Sequence, residues 1–573
     1  MSQDVAFRRK VIYIAAIAAL LYPLFRIGQP ASRSSQGEAN PGGVLAQLRS
    51  QYNLSQAELG EIDPTGESLK LATLGMRGVA ANLLWTKANT YKMKEDWDNF
   101  GATLNQITKL QPNFIAVWEF QAHNLSYNIS VEFDDYRQRY HWVKKGISFL
   151  MGGTHYNRDN PRLLHTLGWY NGQKFGRADE HVQFRQLFRE DDEFHSEINA
   201  NGVTVDDGAG YDGRPDNWLV GQLWYKHAID AVDKKGMPLK SKSPLIFRAD
   251  YPMSQINYAS DIEDEGILGQ YARRAWTKGG EQWAKYGTES LPTSWGHNIR
   301  LGDHPQIKAE IERLRAKFDK LTGLVRETLL QEKIAKLTPE QQAVLKLAES
   351  ELNETNYPIY RTAKEKTPVT HAEVAQRTPA EVRDQAAKLA AKLDEQETLA
   401  MRTASYRGTI NYEYWETRCN AEQTETAVSA REFLYKAEKA RNKADLETAR
   451  QMYEASFKLW KALFDNPNYE RMQDNIEASD LVEAIQRYQR MLQQLDEELP
   501  ENFVLRGLLE RRHEDLSKYF KKKGGSKPGE KPASAEKPTE QAESVVKPVR
   551  AEKPAEKPEP AEKSNPTETP QKA

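Results

Sequence analysis

Residues 78–112 read GVAANLLWTKANTYKMKEDWDNFGATLNQITKLQP, and no other segment constrains the fold as tightly. Apolar and small residues recur at helical spacing, first Leu84, Ala88 and Tyr91, then Trp97, Leu104 and Ile107, and Pro112 closes the run. Two amphipathic helices joined by a short turn within about 34 residues, ending in proline, form the tetratricopeptide (TPR) pattern. Such a unit cannot bury its apolar face alone, so it demands stacked neighbours. Ala88 fits the position where the two helices approach closely. Tyr91 fits the aromatic position of the first helix and Trp97 that of the second. Phe100 stands where the pattern has alanine, which predicts a wider or re-angled helix pair here.

A second unit begins at Asn113, with Trp118 and Ala122 in NFIAVWEFQAHNLSYN and YRQRYHWVKKGISFLMGG as its second helix. Pro161 opens a third unit, PRLLHTLGWYNGQKFG, where Leu167-Gly168 match the L-G dipeptide of the pattern. A further unit lies at REFLYKAEKARNKADLETARQMYEASFKLWKALFDNP, with Ala449, Tyr453 and Ser456 at second-helix spacing and Pro467 just beyond. The expected fold is all-α, a TPR-like α-solenoid. The alternative is an irregular helical domain whose short motifs imitate the pattern.

The run RGVAANLLWTKANTY, then ITKLQPNFIAVWEFQAHNLSYNISVEF, WVKKGISFL and YNRDNPRLLHTLGWY, resembles a group of large membrane-anchored TPR-like proteins of planctomycetes and related bacteria. The resemblance is best over residues 70–175 and weaker to about residue 300. Some members carry the label "iron responsive element" protein, for which these residues offer no physical basis. The resemblance implies an envelope-located helical protein and brings no activity with it.

The two ends are unlike the body. Arg8-Arg9-Lys10 precede the apolar run VIYIAAIAALLYPLF, and Arg26 closes it. A basic flank before an apolar stretch is the pattern of a signal peptide or signal anchor. Fifteen residues span roughly 22 Å against a hydrocarbon core of ~30 Å, and snorkelling of Lys10 and Arg26 covers part of the gap. No small-x-small cleavage site follows. The expectation is an uncleaved anchor at 1–28 with a single transmembrane helix at 11–27, the N-terminus cytoplasmic and the body on the exported, periplasmic-type side. Residues 29–45 read as a linker. From about Lys521, repeated A-E-K-P units with almost no large apolar residue predict a disordered tail over 521–573.

Between repeats at 46–185 and C-terminal TPR-like helices at 406–520 lie two other regions. Residues 186–300, rich in Asp and Gly with scattered Trp and Tyr, read as an irregular insertion, within which ASDIEDEGILGQYARRAWTKGGEQWAKYG reads as two short helices with Trp276, Trp283 and Tyr286 at core spacing. Its loop Asp206-Asp207-Gly208-Ala209-Gly210-Tyr211-Asp212-Gly213 lacks the alternate carboxylates and terminal Glu of a calcium loop, so a turn-rich loop is expected. Over 301–405 long helices are expected. Ile307, Ile311, Leu314, Phe318, Leu321 and Val325 form a heptad seam, read first as pairing within the chain. Thr338-Pro339-Glu340-Gln341 and Thr378-Pro379-Ala380-Glu381 predict capped helices near 339–353 and 379–400, joined by a connection at 354–370.

Chemistry is harder to find. One cysteine, Cys419, excludes an intrachain disulfide, a thiolate zinc cluster and a C-x-x-C-H haem site. Arg418 beside it has no histidine partner in sequence, so a buried structural thiol is expected. There is no P-loop, H-E-x-x-H or G-x-S-x-G. The 573 residues carry a net charge of −2, which gives no global basic field for nucleic acid. His141, His155 and His165 read as core or rim residues, and Glu190-Asp191-Asp192-Glu193 as a solvated face. No catalytic residue, cofactor or metal ligand is named, and no enzyme is expected. The first functional reading is a membrane-anchored scaffold that binds a protein or peptide partner at the cell envelope, with Tyr91, Trp97, Trp118 and Asn124 as candidate contacts. The second is an envelope enzyme of carbohydrate type, with an acidic pair in 186–300. The third is a structural protein that self-associates, as a homo-oligomer, through the heptad seam.

Overall fold

The computed structural model describes residues 77–240, 242–348 and 351–512, with Tyr519 and a few isolated positions between 19 and 48. The anchor at 11–27 (isolated positions apart) and the tail at 521–573 lie outside the described residues. Among the described residues no helix is long and apolar enough to cross a membrane. They form 21 helices and almost no strand, so the fold is all-α.

Helices α1 (Arg77–Met93) and α2 (Trp97–Leu110) make the first pair. Glu95 turns the chain at φ 56°, and the Asp96 carboxylate caps α2 by accepting from Asn99 N. Ala88, Phe100, Leu104, Ile107 and Val117 are fully buried in the core that results. The bulk of Phe100 is absorbed by the next unit: its ring meets Phe120 edge-on, centroids 6.1 Å apart. Helices α3 (Ile115–His123) and α4 (Tyr136–Tyr156) form the second pair. Here α3 runs on into a π-helical turn, Asn124–Ile129.

Helix α5 (Pro161–Trp169) likewise ends in a π-helical turn, Tyr170–Lys174. Its partner is not the next helix. Short helices α6 (His181–Glu190) and α7 (Asp192–Ala200) intervene, and α8 (Asn217–Asp233) then packs along α5. The backbones meet at two glycines: a Cβ on Gly168 would sit 2.9 Å from Gly221 O. Helices α9 (Pro244–Asp264) and α10 (Gln270–Gly287) continue the packing in chain order. Residues 217–287, expected as part of an irregular insertion with two short helices over 259–287, are therefore three long helices. Their helical period is hidden because α8 and α9 bury several faces, which erases a single apolar stripe.

The seam residues Ile311, Leu314 and Phe318 of α11 (His304–Thr322) are buried against Ala386, Ala390 and Leu393 of α16 (Ala380–Thr409), a partner within the chain. Between them run α12 (Val325–Ala335), α13 (Pro339–Val344), α14 (Tyr357–Lys366) and α15 (His371–Arg377). The expected connection at 354–370 thus contains a helix. Thr338 makes the predicted capping box with Gln341, but α13 lasts six residues. Thr378 does not cap α16; its hydroxyl donates back to Val374 O at 2.8 Å, ending α15, and the second capping box belongs to Thr370 and Glu373. Beyond lie α17 (Tyr412–Glu422), α18 (Glu425–Asn442), α19 (Leu446–Phe464), α20 (Ile476–Gln494) and α21 (Arg506–Arg511). In the tight α18–α19 pair Ser456 Oγ donates to Ala430 O at 2.8 Å.

One buried ionic cluster ties the insertion to the helices around it. Arg185 of α6 is 1% exposed. Its guanidinium donates to Asp216 Oδ2 at 3.0 Å, Glu265 Oε1 at 2.6 Å and Asn217 Oδ1 at 2.6 Å. Asp216 also caps α8, accepting from Trp218 N at 2.9 Å. Asp261 takes the Trp218 indole N–H at 2.6 Å and Arg177 at 2.5 Å. Trp218 leaves no room opposite: a Cβ on Gly176 would fall 2.4 Å from its ring. Removing one partner of a buried ionic cluster strands the others, at about 3–5 kcal/mol. Arg185→Met is expected to lower stability by that amount in urea denaturation. Arg315→Met, at an exposed pair, should cost no more than about 1 kcal/mol. Equal losses would contradict the assignment of Arg185 as the hub.

Candidate functional site

The four candidate contacts separate into surface and interior. Trp118 is 6% exposed; its indole N–H donates to Pro112 O at 2.8 Å and its ring stacks on Tyr156. Asn124 is 1% exposed and accepts from Asn128 Nδ2 at 2.9 Å. Both are core residues. Tyr91 and Trp97 are half-buried, and Lys87 Nζ lies 5.6 Å from the Tyr91 ring centre.

A further set of aromatic contacts runs between α1, α3 and α5. Trp85 of α1 meets Phe120 of α3 edge-on at 5.6 Å. One turn on, His123 stacks on Tyr127 with centroids 4.7 Å apart and planes 14° apart. Tyr127 stacks in turn on Trp169 of α5 at 6.1 Å. Trp169 is 38% exposed, a high value for so large an apolar ring. Sequence reading missed His123, Tyr127, Trp169 and Lys174. The spacing of His123 and Tyr127, one helical turn apart, was available; the π turns that bring Tyr127 to Trp169 were not.

Lys174 ends the second π turn. It is 9% exposed, and its ammonium lies 3.9 Å from the centre of the Tyr127 ring. Burial pulls its pKa down to about 8, with Glu180 and Asp179 opposing and Arg139 assisting. His123 is lowered as well, by burial and then by Lys174 and Lys92. The turn itself is held by the Arg185 cluster. Asn217 accepts from Arg185 through Oδ1, while its Nδ2 donates to Asn171 O and Gly172 O, each at 3.1 Å. Those are carbonyls of the π turn.

Farther along, Arg162 of α5 clasps Glu119 of α3 with two hydrogen bonds, and Thr166 Oγ1 donates to Glu119 at 3.1 Å. Behind it His165 is buried, stacked on Phe247 at 5.1 Å. Lys242 Nζ stands 2.8 Å from His165 Nδ1, so the neutral ring accepts there and carries its proton on Nε2. That nitrogen faces Asp250 Oδ2 at 2.9 Å, off hydrogen-bond alignment. Burial lowers His165. Of the other two histidines, His141 is exposed, and His155 pairs with Asn201 Oδ1 at 2.9 Å.

Other chemistry-bearing groups are already engaged. His371, Asp394 and Glu397 bring ligand atoms within 4.8 Å of one another. Arg326 Nη2 sits 2.6 Å from His371 Nδ1 and Arg315 donates to Glu397 at 2.8 Å, so two guanidiniums already supply the positive charge a cation would bring. Glu263 and Glu422 form an acidic pair beside Trp276, but Glu422 is fully buried and Arg431 bridges both. They have the residue types of carbohydrate chemistry without a cleft. Trp276, Trp283 and Tyr286 are core, each at most 2% exposed. In the loop at 206–213, Asp212 caps the Arg214 N–H at 3.0 Å. Asp191, in the acidic run expected to face solvent, instead caps α7 and accepts from Lys144 at 2.9 Å.

Two outcomes follow. Unfolded Lys174 keeps its proton to near 10.5, while the folded group loses it near pH 8. Between those values the unfolded state binds more protons, so stability climbs with pH. The stability gain of Lys174→Met over the parent should be largest at pH 7 and shrink by pH 10; a pH-independent difference would contradict it. Cys419 is fully buried and its thiol is pushed up to about 12 by burial, so alkylation is expected only on unfolding.

No protein family, curated protein or solved structure matches this chain.

Proposed function

We propose that this chain is a membrane-anchored, TPR-like helical-repeat scaffold that binds a protein or peptide partner at the cell envelope, along the shared face of α1, α3 and α5. The single observation that carries the reading is the run of exposed and half-buried rings His123, Tyr127 and Trp169, stacked across two consecutive repeat units. Stacked helix pairs present their first helices as one continuous surface, which suits an extended peptide or a partner helix. Aromatic residues in such a place are the usual energetic anchors of an interface. The basic flank and apolar run at 8–27 support the anchor and the exported orientation of the body. Self-association through the heptad seam is not favoured, since α16 covers it.

Two measurements test this. Full-length protein should remain with membranes in high salt, and removal of residues 1–28 should release it; release of the intact chain by salt alone would refute the anchor. Tyr127→Ala combined with Trp169→Ala is expected to reduce recovery of crosslinked partner about ten-fold or more. Gln106→Ala on α2 should leave recovery unchanged. Equal recovery from all three proteins would refute the face.

A further inference from the structure

We infer that the partner presents an acidic segment, one carboxylate of which seats on the Lys174 ammonium beside Tyr127 and Trp169 while neighbouring side chains stack on the exposed rings. This rests on the binding face proposed above and names the chemistry of its occupant.

Among the described residues the Lys174 ammonium has no salt-bridge partner, although Glu180 and Asp179 act on it through space. Lys174 is 9% exposed, and its ammonium lies over the face of Tyr127. The nearby carboxylate of Glu180 is taken by Arg139, and Asp179 acts only through space. A buried ammonium left unpaired is costly, because the ring face replaces only part of its lost hydration. The lowered pKa of Lys174 reports that cost. A carboxylate arriving from outside would complete a charge-assisted hydrogen bond in a partly desolvated place, where such bonds are strongest.

The surroundings select the same sign. Lys92 on α1 and Lys174 on the α5 turn both act on His123 in the direction that disfavours its protonation. Across the face, Glu119 is held by Arg162. Of the charges acting on His123 and Lys174 that no salt bridge takes up among the described residues, Lys92 and Lys174 are positive and Asp179 is negative, so cations outnumber carboxylates at the ring stack although the whole chain is slightly negative at −2. A single ammonium among rings suits one carboxylate with an adjoining aromatic or apolar side chain. A polyphosphate or nucleic acid would call for a cluster of guanidiniums or lysines converging on one point. The π turn makes this placement specific, because Asn217 holds its carbonyls at Asn171 and Gly172 and so fixes the backbone from which Lys174 projects.

The test is selection of a phage-displayed library of random twelve-residue peptides on the full chain in lipid nanodiscs. Selected peptides should be enriched in Asp and Glu beside aromatic or apolar residues. Lys174→Met should abolish the acidic enrichment and weaken a selected peptide about ten-fold, while Lys174→Arg should retain most of it. The affinity of that peptide should fall as pH rises through 8 to 9, and that of its Gln-for-Glu twin should not. Peptides without acidic enrichment that still lose binding in Trp169→Ala would overturn the carboxylate and leave the face standing. Peptides indifferent to Trp169→Ala and Tyr127→Ala, or no selection at all, would overturn the face itself. Circular dichroism of each variant separates lost binding from lost fold.

Discussion

The structure turns on the pairing of Arg185 with Asp216 and Glu265 in a place almost closed to water. Buried charge of this kind is poor evidence for net stability, since desolvation offsets most of the attraction. What it supplies is position. Arg185 comes from the short insertion helix α6, Asp216 begins α8 and Glu265 follows α9. Satisfying one guanidinium therefore fixes three segments that share no local sequence signal. Asn217 extends the constraint to the π turn of α5, whose carbonyls it holds. From there the constraint reaches the surface as the placement of Lys174 under Tyr127.

This chain of contacts links the core to the proposed function. A π turn widens the helix by one residue and breaks the regular ladder of backbone bonds, which is why such turns recur where a side chain must be aimed. Here two of them end the first helices of consecutive units. The first aims Tyr127 and the second Lys174, and the two side chains meet. The small residues beneath are equally placed: a Cβ on Gly146 would fall 2.1 Å from Ser126 Oγ, and one on Gly172 would fall 2.9 Å from the Trp218 ring. Core packing and the placement of the proposed contact residues are thus specified by the same few turns.

Much of the fold was legible because its signals are local. Period 3.6 in residues 78–112, the capping box of Thr338 with Gln341, and Pro161 at a helix start are written in short stretches of chain. The heptad seam was legible for the same reason. What was missed depends on distant residues. Helices α8 and α9 are buried on several sides and show no stripe, so 217–264 read as irregular. Thr378 has the sequence of an N-cap, yet its hydroxyl finds Val374 O first. At the candidate site, Trp118 and Asn124 drew notice as an aromatic and a polar residue at repeat positions. Residue type alone could not reveal that the first packs under Tyr156 and the second under its own helix end. Tyr127, Trp169 and Lys174 come together through π turns, and nothing in a single sequence announces an i to i+5 hydrogen bond.

The central claim is that the first-helix face, and not the outer faces of the same units, meets a partner. Site-specific photocrosslinking in cells tests this most directly, with a benzophenone side chain placed at Tyr127 or Trp169 and, separately, at the exposed positions Gln106 on α2 and His141 on α4. The account predicts discrete adducts from 127 and 169, lost when Lys174→Met is combined with either, and none from 106 or 141. Adducts from the outer positions, with none from 127 and 169, would contradict it.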